Sequence, residues 1–117
     1  MLNIIKKSSE QITKKETFKL TKNQNIRTMK SVDNGHIINV THWCLFEDVN
    51  ASGEVVEILS IMDDVGEVFA TNSKSFKDMF FDIVDILDEG DDVEGFEIEK
   101  IGGKTKAGRD FVTCALV

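Results

Sequence analysis

Lys104, Lys106 and Arg109 stand in the run Gly102-Gly103-Lys104-Thr105-Lys106-Ala107-Gly108-Arg109, which holds no acid and is followed at once by Asp110. Cations on a backbone loosened by Gly102, Gly103 and Gly108 can follow a phosphate chain without reading its sequence. Strand-like runs at 96–101 and 111–117 flank the glycine-rich stretch, so it reads as the mobile tip of a hairpin. The chain as a whole is acidic, with a formal charge of −7. A cationic tip on an acidic protein is a device for an anionic ligand; the bland alternative is a solvated turn whose lysines serve solubility.

Aromatic side chains supply the second chemistry that binding to single strands needs, because bases stack on exposed rings at about 1–3 kcal/mol each. Strand alternation places Trp43 with Leu45 on one face, and Phe46 with His42 and Cys44 on the other. One of the two rings is then core and the other exposed. Trp43, Phe69 and Phe111 are the stacking candidates. Phe76 and Phe80 belong to an apolar helix stripe and read as core. His42 and Cys44 could share a strand face as zinc ligands, but only remote Cys114 is at hand to complete a tetrahedral set, so no metal or other cofactor is expected. Catalysis has little support. There is no Gly-x-Ser-x-Gly, and Gly102-Gly103-Lys104-Thr105 lacks the upstream glycine spacing of a P-loop. The two histidines both lie in the first half of the chain. The chain reads as a non-enzyme.

Charge divides the 117 residues unevenly. Residues 1–36 carry seven lysines and one arginine against three acids, a balance of +5, whereas residues 82–99 carry nine acids and no base. The acidic run does not match a calcium-binding loop. It reads as a solvated face, or as a mimic of nucleic acid directed at a DNA enzyme. No apolar run approaches the roughly 18 residues of a membrane span, and the first residues do not resemble a signal peptide. A cytoplasmic protein without membrane contact is expected, with both cysteines reduced.

Residues 1–35 form a basic, weakly structured segment with a short strand at 17–21, ordering when a ligand docks on it. Lys19, Lys22, Arg27 and Lys30 would there extend the backbone contacts. Asp33-Asn34-Gly35 is a turn. A long strand at 37–48, a loop at 50–53, a return strand at 54–62, a turn at 63–66 and a strand at 68–71 follow. Phe76, Phe80, Ile83, Val84 and Leu87 then mark one face of a helix capped by Ser73 or Asn72 and ended by Gly90. Strands at 96–101 and 111–117 complete the chain. Three strands, a helix and two strands is the element order of the OB-fold, a five-stranded, partly open barrel whose last hairpin loop grips oligonucleotides. The expectation is a mainly β domain with one helix over residues 36–117, in the order β-β-β-α-β-β.

The segment from Gly66-Glu67-Val68-Phe69-Ala70-Thr71-Asn72-Ser73 through the helix, with the final hairpin from Phe96 to Phe111, resembles the small single-stranded DNA-binding proteins of tailed phages and mobile elements of Gram-positive bacteria. The shared features are a turn leading into a hydrophobic strand, a serine-capped amphipathic helix, and a final hairpin of glycine and Lys/Thr residues before an aromatic strand. They cover roughly residues 37–117. The resemblance implies an OB-like protein that coats exposed strands during DNA replication in a bacterial host cell, with single-stranded DNA as ligand and replication proteins as further partners. An uncovered edge strand is the element that could pair into a dimer. The rival reading is a phage-encoded inhibitor that acts through the acidic 82–99 surface on a host DNA enzyme.

Overall fold

A computed structural model of the chain describes residues 3–7, 13–22, 25–87 and 96–117. Among these residues there are eight strands in two sheets and two helices. The strands are β1 (Asn3–Lys7), β2 (Arg27–Thr28), β3 (Ile37–Val40), β4 (His42–Val49), β5 (Val55–Met62), β6 (Val68–Thr71), β7 (Phe96–Lys104) and β8 (Asp110–Leu116). The helices are α1 (Lys14–Thr21) and α2 (Lys74–Leu87). One sheet runs in the order β1-β4-β5-β6-β2, and the other in the order β3-β7-β8. Neither closes into a barrel among the described residues, and the single helix expected from the sequence is two.

The expected long strand at 37–48 breaks at Thr41. Its backbone N–H and its Oγ1 both donate to the carbonyl of Met62, at 3.0 and 3.1 Å, and Oγ1 also lies 3.1 Å from the Asp63 carbonyl. That anchorage turns the chain from one sheet into the other. Before the break β3 pairs antiparallel with β7, and after it β4 pairs with β5 over its full length.

The segment expected to be a strand at 17–21 is helical. Its Thr-Phe-Lys-Leu-Thr alternation reads as extended, but a capping box formed by Thr13 and Glu16, immediately before it, decides the matter. Thr13 Oγ1 accepts from the Glu16 N–H at 3.1 Å, and the Glu16 carboxylate accepts from the Thr13 N–H at 3.1 Å. Two of the donors that a helix start leaves open are thereby satisfied. Leu20 buries itself against Cys44, Phe46, Met62 and Val68, making a small second core on the outer face of the five-stranded sheet. The described parts of residues 1–35 are therefore built into the fold. β1 and β2 take the two edges of the large sheet, and Met29 and Val32 enter the main core.

Hydrogen bonds from Thr13 hold the Glu16 carboxyl below the usual glutamate range, the backbone N–H contributing most and the hydroxyl next. A depressed folded-state value stabilises the fold above the pH at which the unfolded chain titrates, and this stabilisation is lost as pH falls through the folded value. Glu16→Ala is expected to cost about 1 kcal/mol at neutral pH. The difference from the parent should shrink in urea titrations repeated at progressively acidic pH.

The main core lies between the inner face of the large sheet, the three-stranded sheet and α2. Phe76, Phe80, Ile83 and Val84 point into it as the helical spacing predicts, with Leu87 packed at its margin. Ser73 caps α2: its Oγ accepts from the Phe76 N–H at 3.3 Å and donates to the Val112 carbonyl at 3.1 Å, which ties the helix start to β8. Gly90, read as the helix stop, and residues 88–94 of the acidic run lie outside the described residues. Among the described residues no helix is long and apolar enough to cross a membrane.

Candidate nucleic-acid interface

The β7–β8 hairpin is tighter than its composition suggests. Gly102 and Gly103 belong to β7 and pair with Val112 and Phe111. The turn proper is Thr105 to Arg109: the Thr105 N–H donates to the Arg109 carbonyl at 2.8 Å, and the Gly108 N–H to the Thr105 carbonyl at 2.9 Å. Gly108 takes a φ of 81°, which a side chain would strain. The same pair of backbone bonds closes the turns at 50–54 and 63–67. Lys106 and Arg109 are thus presented, exposed, on a fixed turn.

A groove of about 290 Å³ opens at the base of this hairpin, lined by Lys30, Asn34, Lys100, Lys104, Asp110 and Phe111 among others. Phe111 is half-buried, its ring lying over Gly103, where a Cβ would meet ring carbons at 3.0 Å. A second groove of about 380 Å³ lies on the outer face of β5 and β6. Val56, Ile58 and Ala70 line it, with Thr28 and Lys30 at its side. Lys30 borders both grooves. An apolar floor therefore adjoins a cationic channel with an aromatic wall, an arrangement suited to bases on one side and phosphates on the other.

Of the residues singled out in the sequence, the structure gathers Lys30, Lys104 and Phe111 around one groove. Others are placed elsewhere. Lys19 is exposed on α1, and Lys22 reaches Asp48 at 2.7 Å. Arg27 lies 3.5 Å from Glu67, with its guanidinium 5.4 Å from the centre of the Phe69 ring. Trp43 and Phe69 are removed from the set of stacking surfaces, because they are 4% and 0% exposed. Trp43 is packed edge-on against Phe80 and Phe81, with centroids 5.7 and 5.3 Å away. Phe46, on the opposite sheet face, is buried too, because α1 covers that face. The expectation that one of the two rings would be exposed therefore fails.

His42 is engaged through both ring nitrogens, Nε2 with Glu16 at 2.9 Å and Nδ1 with Thr41 Oγ1 at 3.2 Å. Cys44 and Cys114 are unbridged and belong to different cores, and burial pushes the Cys114 thiol up to about 12.

Two groove residues were not anticipated, Lys100 and Asn34. The readable signal is register. Phe96, Ile98 and Lys100 alternate onto the buried face of β7, so a lysine occupies a position where the pattern calls for an apolar side chain. Asp110 is the acid in this groove, 3.7 Å from Lys30. Asp110→Asn should free Lys30 and remove a like charge from the path of a phosphate. It is expected to tighten oligonucleotide binding about threefold to tenfold, read by titration of a labelled oligo-dT.

Fold and site together define a two-sheet, mainly β domain with two neighbouring grooves, one largely apolar and one lined by lysines, that share Lys30. No family model matches the chain, and neither a curated protein nor a solved structure matches it.

Proposed function

We propose that the protein binds single-stranded DNA without sequence preference and coats exposed strands during phage or mobile-element replication. One observation carries the reading: Lys30 joins the apolar floor of Val56, Ile58 and Ala70 to the cationic hairpin base beside Phe111. Bases set on the floor and against the ring would leave their phosphates to Lys30 and Lys104, with Arg109 and Lys106 continuing the track along the turn.

The chain path supports the same reading. A bent strand (β3 then β4), β5, β6, α2 and the β7–β8 hairpin follow one another, and β3 pairs with β7. We read this as an opened OB-fold in which β2 takes the outer edge of β6 and β8 does not reach it. In that fold the second and third strands and the last hairpin loop form the oligonucleotide face. Their counterparts here are β5 and β6, which line the apolar groove, and residues 105–109, the turn that follows the Lys104 edge of the other. The resemblance to phage single-stranded DNA-binding proteins points the same way.

The test is fluorescence anisotropy of a labelled oligo-dT at low salt, followed by salt titration, with a duplex of equal length as comparison. Binding with a log–log salt slope of about −2 to −3, as expected for three to four phosphate contacts on a single strand, supports the reading. Absence of binding at low salt, or a clear preference for the duplex, overturns it. Quenching of Trp43 is not the readout to use, since that ring is enclosed in the core.

A further inference from the structure

A buried lysine needs an anion or a full set of hydrogen bonds to offset the loss of water. Lys100 is 4% exposed. Its ammonium donates to Asn34 Oδ1 at 2.8 Å, and among the described residues no carboxylate lies within ion-pair distance of it. The acid in the same groove, Asp110, is engaged by Lys30. An ammonium has three donors, so Lys100 holds donors in reserve at the wall of a groove it shares with two further lysines.

The surroundings of Lys100 are built to hold it there. The turn at 33–36 is strapped to β7 by backbone bonds, from the Gly35 N–H to the Lys100 carbonyl and from the Lys100 N–H to the His36 carbonyl, both 2.9 Å. Asn34 is fixed in turn by donating through Nδ2 to the Gly102 carbonyl at 3.3 Å. Gly102 is what allows this approach: a Cβ there would stand 2.7 Å from Asn34 Oδ1 and 3.0 Å from Lys100 Nζ. A neutral amide orients the ammonium without neutralising it, and the positive charge remains for a ligand.

We infer that Lys100, oriented by Asn34 and flanked by Lys30 and Lys104, forms a recessed oxyanion subsite that takes one phosphate group. This deepens the proposed function and rests on it for the source of that phosphate, a backbone phosphodiester of the bound strand. A terminal or free phosphate offers the same chemistry, and the experiment separates the sources.

Lys100→Met keeps the length of the stem and removes the charge. Because the parent buries that charge without an anion, the variant should fold with an unchanged or higher Tm, and circular dichroism should match. It should bind oligo-dT about tenfold more weakly than the parent, with a salt slope smaller by about 0.7, the share of one phosphate contact. Lys100→Arg, whose planar fork does not fit beside Gly102 and Asn34, should recover only part of the loss.

Two further probes are used with both proteins: oligo-dT with and without a 5′-phosphate, and inorganic phosphate against chloride at matched ionic strength, followed by Tm. Equal loss for both oligonucleotides assigns the subsite to the backbone. A parent that favours the 5′-phosphorylated strand, with Lys100→Met abolishing the preference, assigns it to a terminus. A parent that gains Tm in inorganic phosphate but ignores oligo-dT, with Lys100→Met losing the gain, keeps the subsite and removes the single-strand reading. Where the parent binds oligo-dT, unchanged affinity in a folded Lys100→Met overturns the subsite and leaves the proposed function standing; a parent that responds to neither oligo-dT nor inorganic phosphate overturns both.

Discussion

The combined variant Lys30→Ala, Lys104→Ala, Arg109→Ala is expected to bind oligo-dT roughly a hundredfold more weakly than the parent at low salt. Lys30 and Lys104 line the groove and Arg109 stands on the turn beside it. A charge-assisted contact that stays partly in water contributes about 1 kcal/mol, near the low end for hydrogen bonds to charged groups. Three of them amount to about 3 kcal/mol, or two decades in Kd. The salt slope should fall by about 2, because each single-strand phosphate contact contributes roughly 0.7. Fold stability should stay within about 0.5 kcal/mol of the parent, since these are exposed side chains and the Lys30–Asp110 pair is weak at 3.7 Å. Parent-like affinity with a parent-like slope would remove the hairpin base as the binding surface, even if the protein still bound DNA.

Phe80→Ala is expected to be the most damaging single substitution for the fold, at about 3–5 kcal/mol. Phe80 is 0% exposed, and its ring meets four others: Trp43, Phe76, Phe81 and Phe96, with centroids 5.5 to 6.4 Å apart. Truncation leaves a cavity where α2, β4 and β7 converge, because the neighbouring rings cannot collapse into it without leaving their own partners. A domain of this size has a total stability of about 5–15 kcal/mol, so Tm should drop by roughly 15–20 °C. Trp43, in edge contact with Phe80, makes a direct probe of the transition by fluorescence in a urea titration. Phe81→Ala is the comparison: that ring is only half-buried at the margin of the core and should cost less than half as much.

Elements whose information is local were legible in the sequence. The stripe of Phe76, Phe80, Ile83, Val84 and Leu87 needs only the 3.6-residue period to declare a helix and its buried face, and α2 buries four of the five and packs the fifth at the core margin. The turns at 50–54, 63–67 and 105–109 announce themselves because each carries a glycine where the chain needs a positive φ. α1 carries a local signal of its own: Thr13 and Glu16 form the Thr-x-x-Glu pattern of a capping box, although the alternating residues 17–21 point to a strand when periodicity alone is weighed.

Facts that depend on what covers a surface were not legible. Alternation in β4 places Trp43 and Phe46 on opposite faces and so suggests that one of them is open to solvent. Both are buried, since the inner face meets α2 and the outer face meets α1. Whether an aromatic can stack on a base is thus set by packing partners up to tens of residues away in the chain. The same holds for Lys30. In sequence it is one of many cations in a basic segment, and only the fold brings it to the hairpin base, next to Lys104 and Asp110, which lie 74 and 80 residues further on.

The sequence by itself determined the mainly β character, α2 with its buried stripe, the tight turns and the placing of Lys104, Lys106 and Arg109 at the end of the last hairpin. These follow from backbone geometry and from side-chain periods of two and 3.6 residues, which act over a few positions. Only the tertiary structure decided that the long strand breaks at Thr41 into two sheets, that Trp43 and Phe69 are core, and that Phe111 stands over a groove with Lys30, Lys100 and Lys104. Burial and charge proximity are properties of segments meeting across the fold. For Lys100, a lysine at an inward strand position becomes meaningful only when the turn holding Asn34 is laid across it.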